Sequence, residues 1–138
     1  MPKRRAGMMT RMKYRCGINV GTFLTCADNT GARKLQVIAV IGYKGVQRRI
    51  PRATIGDVVV CTVKEGKPEL VGEIVRAVII RQRAPYKRKD GSWICFEDNA
   101  AILIKPDMEP QGTEIRGPVA REAVMRFPSI GKLAKIVI

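Results

Sequence analysis

The sequence predicts a mainly β protein, an antiparallel barrel or sandwich, on three observations. Short apolar, β-branched runs recur at 22–26, 35–41, 58–63, 74–80, 94–96 and 102–104, and turn signals separate them. The intervals are also too short and too rich in Gly and Pro to hold the helices of a doubly wound α/β fold.

Taken in order, the chain begins with a basic arm at 1–17, ahead of a single domain at 18–138. Lys3, Arg4, Arg5, Arg11, Lys13 and Arg15 stand in the arm with no acidic residue and no apolar periodicity, so it has nothing with which to form a core of its own. Extended, it would reach about 50 Å and could follow a neighbouring groove well beyond the body. The strands follow, divided by Asp28-Asn-Thr-Gly31, Lys44-Gly45, Gly56-Asp57, 64–68 and Asp90-Gly91. The segment 87–92 is the clearest hairpin, because Asp-Gly favours the positive-φ turn that joins twisted strands. After Pro118 the period changes. A short helix is expected over 119–127, with Val119, Ala123, Val124 and Phe127 on one side and Arg121 and Arg126 away from it. A second turn is expected after Ser129, placed as its N-cap. The exposed apolar candidates for docking a partner are Val124, Met125, Phe127 and Ile130, some of which the core would claim.

Charge narrows the function. Among 138 residues, 26 Lys and Arg face 12 Asp and Glu, a formal net charge of +14. An excess of this size calls for a polyanionic partner. A membrane surface would be met by a basic amphipathic helix or a lipidation site, and neither is present in the sequence; no apolar run approaches a membrane span or a signal peptide, so a cytoplasmic protein is expected. The cations fall into separate clusters: the arm, Arg33 and Lys34, then Lys44 with Arg48, Arg49 and Arg52, then Arg81, Arg83, Lys87, Arg88 and Lys89, and finally Arg116, Arg121, Arg126, Lys132 and Lys135. Most sit at turns. That pattern suits folded RNA, whose phosphates approach from several directions, better than a DNA groove read by one helix. Aromatic residues make up only 5%, too few for a binder that stacks one base after another. Tyr43 and Tyr86 lie beside cations and are candidates for stacking, whereas Trp93, on a strand, is expected to be buried or half-buried.

Catalysis finds little support. There is no histidine, the usual general base. Cys16, Cys26, Cys61 and Cys95 form no close pair, so no zinc site is expected, only small reduced side chains in packing positions. Asp28, Asp57, Asp90 and Asp98 each adjoin Gly or Asn, as side chains that hydrogen-bond within turns do. No cofactor is called for.

Four stretches carry a resemblance: Cys-Ala-Asp-Asn-Thr-Gly-Ala-Arg at 26–33, Gly-Asp-Val-Val-Val at 56–60, the block from 77–83 through Asp90-Gly91 to Phe-Glu-Asp-Asn at 96–99, and Gly-Thr-Glu-Ile-Arg-Gly-Pro-Val-Ala-Arg-Glu at 112–122. In these the chain resembles the universal large-subunit ribosomal protein fourteen family over essentially its whole folded body. The resemblance implies a five-stranded barrel with a projecting β-ribbon and short C-terminal helices, bound to large-subunit rRNA. It also implies a bridge to small-subunit rRNA, neighbouring large-subunit ribosomal proteins, and a surface for anti-association or maturation factors. The added basic N-terminal residues, the short 64–69 loop and Arg-Gln-Arg-Ala-Pro-Tyr at 81–86 look like the archaeal and eukaryotic branch. The competing reading is a free-standing RNA-binding regulator on a similar small barrel. An enzyme acting on nucleic acid is the third and weakest.

Overall fold

The structure, a computed structural model, describes residues 14–138. Lys3, Arg4, Arg5, Arg11 and Lys13 therefore lie outside the described residues. The strands are β1 (Ile18–Asn19), β2 (Phe23–Cys26), β3 (Ala32–Val40), β4 (Arg52–Ala53), β5 (Val58–Gly66), β6 (Ile74–Arg81), β7 (Tyr86–Lys87), β8 (Trp93–Ile94), β9 (Ala100–Ile104) and β10 (Pro118–Val119). Helices α1 (Arg121–Arg126) and α2 (Pro128–Leu133) and strand β11 (Ile136–Val137) complete the chain.

Strands β2, β3, β5, β6 and β9 close a barrel in that order. The closure is not wholly antiparallel as the sequence reading had it, because β2 meets β9 in parallel, Thr25 opposite Ala100 and Cys26 opposite Ala101. Closure removes the sheet edges that would otherwise expose unpaired backbone. Along β5 the period of two is clear: Val59, Cys61 and Val63 are fully buried, while Val60 and Thr62 between them are half-buried. In β9 every residue is buried, because its outer face is covered as well as its inner one. β3 runs longer than the apolar stretch 35–41 suggests, since it begins at Ala32 and carries bulges on its β5 side. At its start Ala32 faces Gly66, where a Cβ would sit 2.7 Å from the Gly31 carbonyl oxygen, so only glycine fits.

The hairpin expected at 87–92 is a short ribbon, with Tyr86 opposite Ile94 and Lys87 opposite Trp93. Its tip is a three-residue loop. Arg88 N–H donates to the Ser92 carbonyl at 2.9 Å and Gly91 N–H to the Arg88 carbonyl at 3.0 Å, with Gly91 at φ 92°. The run 94–96 thus supplies only this ribbon and no barrel strand.

The C-terminal segment wraps the barrel. Arg116 N–H donates to the Ala27 carbonyl at 2.7 Å and Ala120 N–H to the Ile80 carbonyl at 3.0 Å. Helix α1 is shorter than the predicted 119–127: Val119 is buried in β10, which pairs in parallel with β11. The second helix starts at Pro128, whose missing N–H is harmless in a first turn. Phe127 occupies its N-cap, so Ser129 lies inside the helix and does not cap it. Among the described residues no helix is long and apolar enough to cross a membrane.

Candidate nucleic-acid interface

The arginines divide into those turned inward and those left in solvent, a division that net charge alone does not reveal. Three of them hold the C-terminal segment, Arg81 and Arg126 to the barrel and Arg88 to the ribbon. Arg81 is only 7% exposed. Its Nε and Nη2 donate to Asp98 at 3.0 and 3.2 Å, and its Nη1 to the carbonyls of Arg116 and Pro118 at 2.9 and 3.1 Å. Arg88 donates from Nε to Glu122 Oε1 at 2.7 Å and from Nη2 to the Ile138 carbonyl at 2.6 Å. Arg126, expected to point away from the apolar side of its helix, instead donates to the Gly56 carbonyl at 2.9 Å and to buried Asp57 at 3.1 Å. Arg81 and Arg88, both read from the sequence as RNA contacts, are thus committed to holding the fold, because a guanidinium with its donors used internally has little left for a phosphate. Arg88 is driven further towards its charged form by its hydrogen bond to Glu122.

The remaining cations face outward. Arg83, Lys87 and Lys89 are exposed on and beside the ribbon. Arg33 is exposed on β3, while its neighbour Lys34 is half-buried, 3.9 Å from Glu65 and 4.7 Å above the Phe23 ring. Residues 44–50 are all exposed. In this loop Arg48 holds φ 67°, an unusual conformation for a side-chain-bearing residue, and Val46, Gln47, Arg48, Arg49, Ile50 and Arg52 line an open concavity of about 370 Å³. Lys44 borders the same loop. Arg116, Arg121 and Lys132 are exposed at the C-terminal side, and Lys135 is 2.9 Å from Glu114. Arg15 is exposed where the arm meets the body.

Two aromatic residues, Tyr86 and Trp93, reverse the sequence reading. Tyr86 is fully buried and donates its hydroxyl proton to Glu122 at 2.9 Å, so it presents no face to a base. Burial first, and then the adjacent carboxylate, push its hydroxyl pKa up. Trp93, expected to be buried or half-buried, is 61% exposed opposite Lys87. The missed signal is the Asp-Gly hairpin itself: strands this short, projecting from the barrel, have no core to enter. Tyr43 is half-buried, near the Ile50 carbonyl at 3.5 Å.

The aspartates serve the fold. Asp28 Oδ1 accepts from Thr30 N–H and its hydroxyl at 3.2 and 2.6 Å, and its Oδ2 from Leu103 N–H at 2.9 Å. Asp57 accepts from Thr54 N–H at 2.9 Å, and Asp90 from Ser92 N–H at 2.9 Å. Asp98 departs from the turn reading, since its carboxylate pairs with Arg81. Cys26 and Cys61 are buried, Cys16 is half-buried and Cys95 is exposed. Burial lifts the Cys26 and Cys61 thiols to about 12. Among the described residues no three His, Cys, Asp or Glu side chains gather as a metal site would require. What remains is a closed barrel with exposed cations, most of them in loops.

A family model described as ribosomal protein L14p/L23e matches residues 17–138. The large ribosomal subunit protein uL14 of Pyrobaculum islandicum is 49% identical over 138 residues, covering 99% of this chain and 96% of that protein. The protein of the same name from Thermofilum pendens is 50% identical over 131 residues, covering 92% and 93%.

Proposed function

Because the chain belongs to the ribosomal protein L14p/L23e family, we propose that it neutralises rRNA phosphates through its exposed loops and arm and fixes RNA geometry at the subunit interface. It is a structural constituent of the large ribosomal subunit in the cytoplasm, with no enzymatic activity. The observation that carries the RNA reading is the division of the cations: Arg81, Arg88 and Arg126 are consumed inside, while Arg15, Lys44, Arg48, Arg49, Lys87 and Lys89 are exposed on a chain of net charge +14. The contacts proposed are Arg15, Arg33, Lys34, Lys44, Arg48, Arg49, Arg52, Arg83, Lys87, Lys89, Arg116 and Arg121, together with Lys3, Arg4, Arg5, Arg11 and Lys13. Arg81 and Arg88 are withdrawn from that set.

The finer assignments belong to the same proposal: a bridge to small-subunit rRNA, packing against neighbouring large-subunit proteins, and a surface for anti-association or maturation factors. Of the docking candidates read from the sequence, Met125 remains 62% exposed, while Ile130 is fully buried and Val124 and Phe127 pack against the core. Each phosphate contact releases counterions, so affinity for rRNA should fall steeply with salt, log K changing by roughly 0.7 to 0.9 per contact for each decade of salt.

The test is to sediment a cell lysate through a sucrose gradient at low and at high salt and quantify the protein in each fraction by mass spectrometry. One copy per large subunit, retained through the high-salt wash, supports the proposal. Protein remaining at the top of both gradients would leave the free-standing regulator as the better reading.

A further inference from the structure

We propose that Trp93 and Lys87 form a one-base platform on the outer face of the β7–β8 ribbon, the indole stacking on an unpaired RNA base while the lysine holds that nucleotide's phosphate. This deepens the rRNA-binding reading above and rests on it.

The two faces of the ribbon serve different ends. Tyr86 pairs with Ile94 and Lys87 with Trp93, and because strand side chains alternate, each pair shares a face. The inner pair serves the fold: Tyr86 is fully buried and Ile94 packs against the core. The outer pair does not, since Lys87 is exposed and Trp93, the chain's one tryptophan, is 61% exposed. An indole is a large apolar surface to leave in water. Among the described residues no other ring and no cation lies over it.

The charge around the ring suits a nucleotide. Between positions 83 and 93 four cations stand against Asp90 alone. Arg88 is engaged by Glu122, and Asp90 Oδ1 accepts from the Ser92 N–H and hydroxyl at 2.9 and 2.6 Å. Arg83, Lys87 and Lys89 are exposed, and none of the three forms a salt bridge with a described carboxylate. A nucleotide answers both features at once, because its π face and its anion are joined by one sugar. A base on the indole therefore brings its phosphate to the lysine opposite. The base has to be unpaired, since within an A-form helix its faces are stacked and the major groove is too narrow to admit the ring.

The platform is held ready from behind. Tyr86 donates its hydroxyl proton to Glu122 at 2.9 Å, and the Tyr14 ring meets the Tyr86 ring edge-on with centroids 5.4 Å apart. Arg88, between the two lysines, donates to the Ile138 carbonyl at 2.6 Å. With the inner face fixed in this way, little ordering of the ribbon is left to oppose stacking.

The experiment uses the full chain and two probes, a short single-stranded oligoadenylate and a fully paired RNA duplex of the same length. Because Trp93 is the only tryptophan, its fluorescence reports the platform alone. Unlabelled oligoadenylate should quench it on binding, and the duplex should bind without comparable quenching. With fluorescein-labelled probes read by anisotropy, Trp93→Ala should weaken oligoadenylate binding about tenfold and leave the duplex unchanged. Trp93→Phe keeps a ring and should recover most of the loss. Lys87→Gln should lower the slope of log K against log salt for oligoadenylate by about 0.7, whereas Trp93→Ala should leave that slope in place, because a lost stack releases no counterion. Oligoadenylate binding that leaves Trp93 unquenched and is unaffected by Trp93→Ala overturns the platform and hands the exposed indole to a protein neighbour, while rRNA binding stands. Failure to bind either probe at low salt overturns the rRNA reading itself.

Discussion

Arg88 and Glu122 form a two-point ion pair between the ribbon and helix α1, Nε to Oε1 at 2.7 Å and Nη2 to Oε2 at 3.3 Å. Glu122 is only 3% exposed and has Tyr86 as a second donor. Because Arg88 also holds the Ile138 carbonyl, one guanidinium joins the ribbon, the helix and the last residue. The exposed Lys87 and Lys89 on either side of it are thereby carried on a ribbon tied to the C-terminal segment.

The first prediction follows from that pair. Arg88→Ala leaves a buried carboxylate without its counter-charge and should lower unfolding stability by about 3 kcal/mol. Adding Glu122→Gln removes the stranded charge and should restore part of the loss. Urea unfolding of the full chain reads both. A loss for Arg88→Ala within about 0.5 kcal/mol, the scatter of ordinary surface substitutions, would mean that the ribbon is not clamped this way.

A second prediction separates two arginines two residues apart. Arg83 is exposed, and among the described residues its backbone N–H is what is engaged, with Asn99 at 2.8 Å. Arg83→Ala should leave the unfolding midpoint in place and reduce the slope of log K for rRNA against log salt by about 1, the signature of one lost phosphate contact. Arg81→Ala should do the reverse, leaving the carbonyls of Arg116 and Pro118 without their donor and destabilising the fold by about 2 kcal/mol, with the salt slope unchanged. Equal effects on both readouts would erase the division of the cations on which the proposed function rests.

The difference between those neighbours also shows where sequence reading reaches its limit. The barrel strands were legible because β-branched runs and Gly or Asp turns are local signals. The parallel closure of β2 on β9 was not, since Thr25 and Ala100 meet only through the whole fold. Charge clusters were legible as clusters, yet the inward turn of Arg81, Arg88 and Arg126 depends on Asp98, Glu122 and Asp57, which are distant in the chain or read as turn residues. Tyr86 and Trp93 were exchanged for a related reason. A two-residue strand carries too little periodicity to say which face meets the core.

A third prediction concerns alkali. Burial raises the Cys26 and Cys61 thiols from 9.0 to about 12, so between those values the unfolded chain has lost protons that the folded one keeps. Stability is then fully present below pH 9 and falls as pH rises towards 12. The slope is about 1.4 kcal/mol per pH unit for each thiol, and burial of Tyr86 steepens it above its ordinary value of 10.0. Urea midpoints at stepped pH should show the decline, and Cys61→Ala should make it shallower by about 1.4 kcal/mol per unit. A flat profile to pH 11 would mean that these thiols ionise freely in the folded state.

The last prediction contrasts two glycines that both hold positive φ. Gly91, at φ 92° on the ribbon tip, has open space where a Cβ would point, so Gly91→Ala pays only the backbone cost of about 1 to 2 kcal/mol. In Gly91→Ala that cost should appear as faster exchange of the Arg88 amide and of the amide at position 91, with little change in global unfolding. Gly66, at φ 154° opposite Ala32, would place its Cβ 2.7 Å from the Gly31 carbonyl and 2.9 Å from the Ala32 Cα. Those atoms belong to the barrel backbone and cannot step aside without breaking the β3–β5 ladder. Gly66→Ala should therefore lower global stability by about 3 kcal/mol, with exchange accelerated throughout the barrel. If instead the effect of Gly66→Ala were confined to the end of β5 and Gly91→Ala unfolded the whole chain, the ribbon rather than the barrel would be the cooperative core.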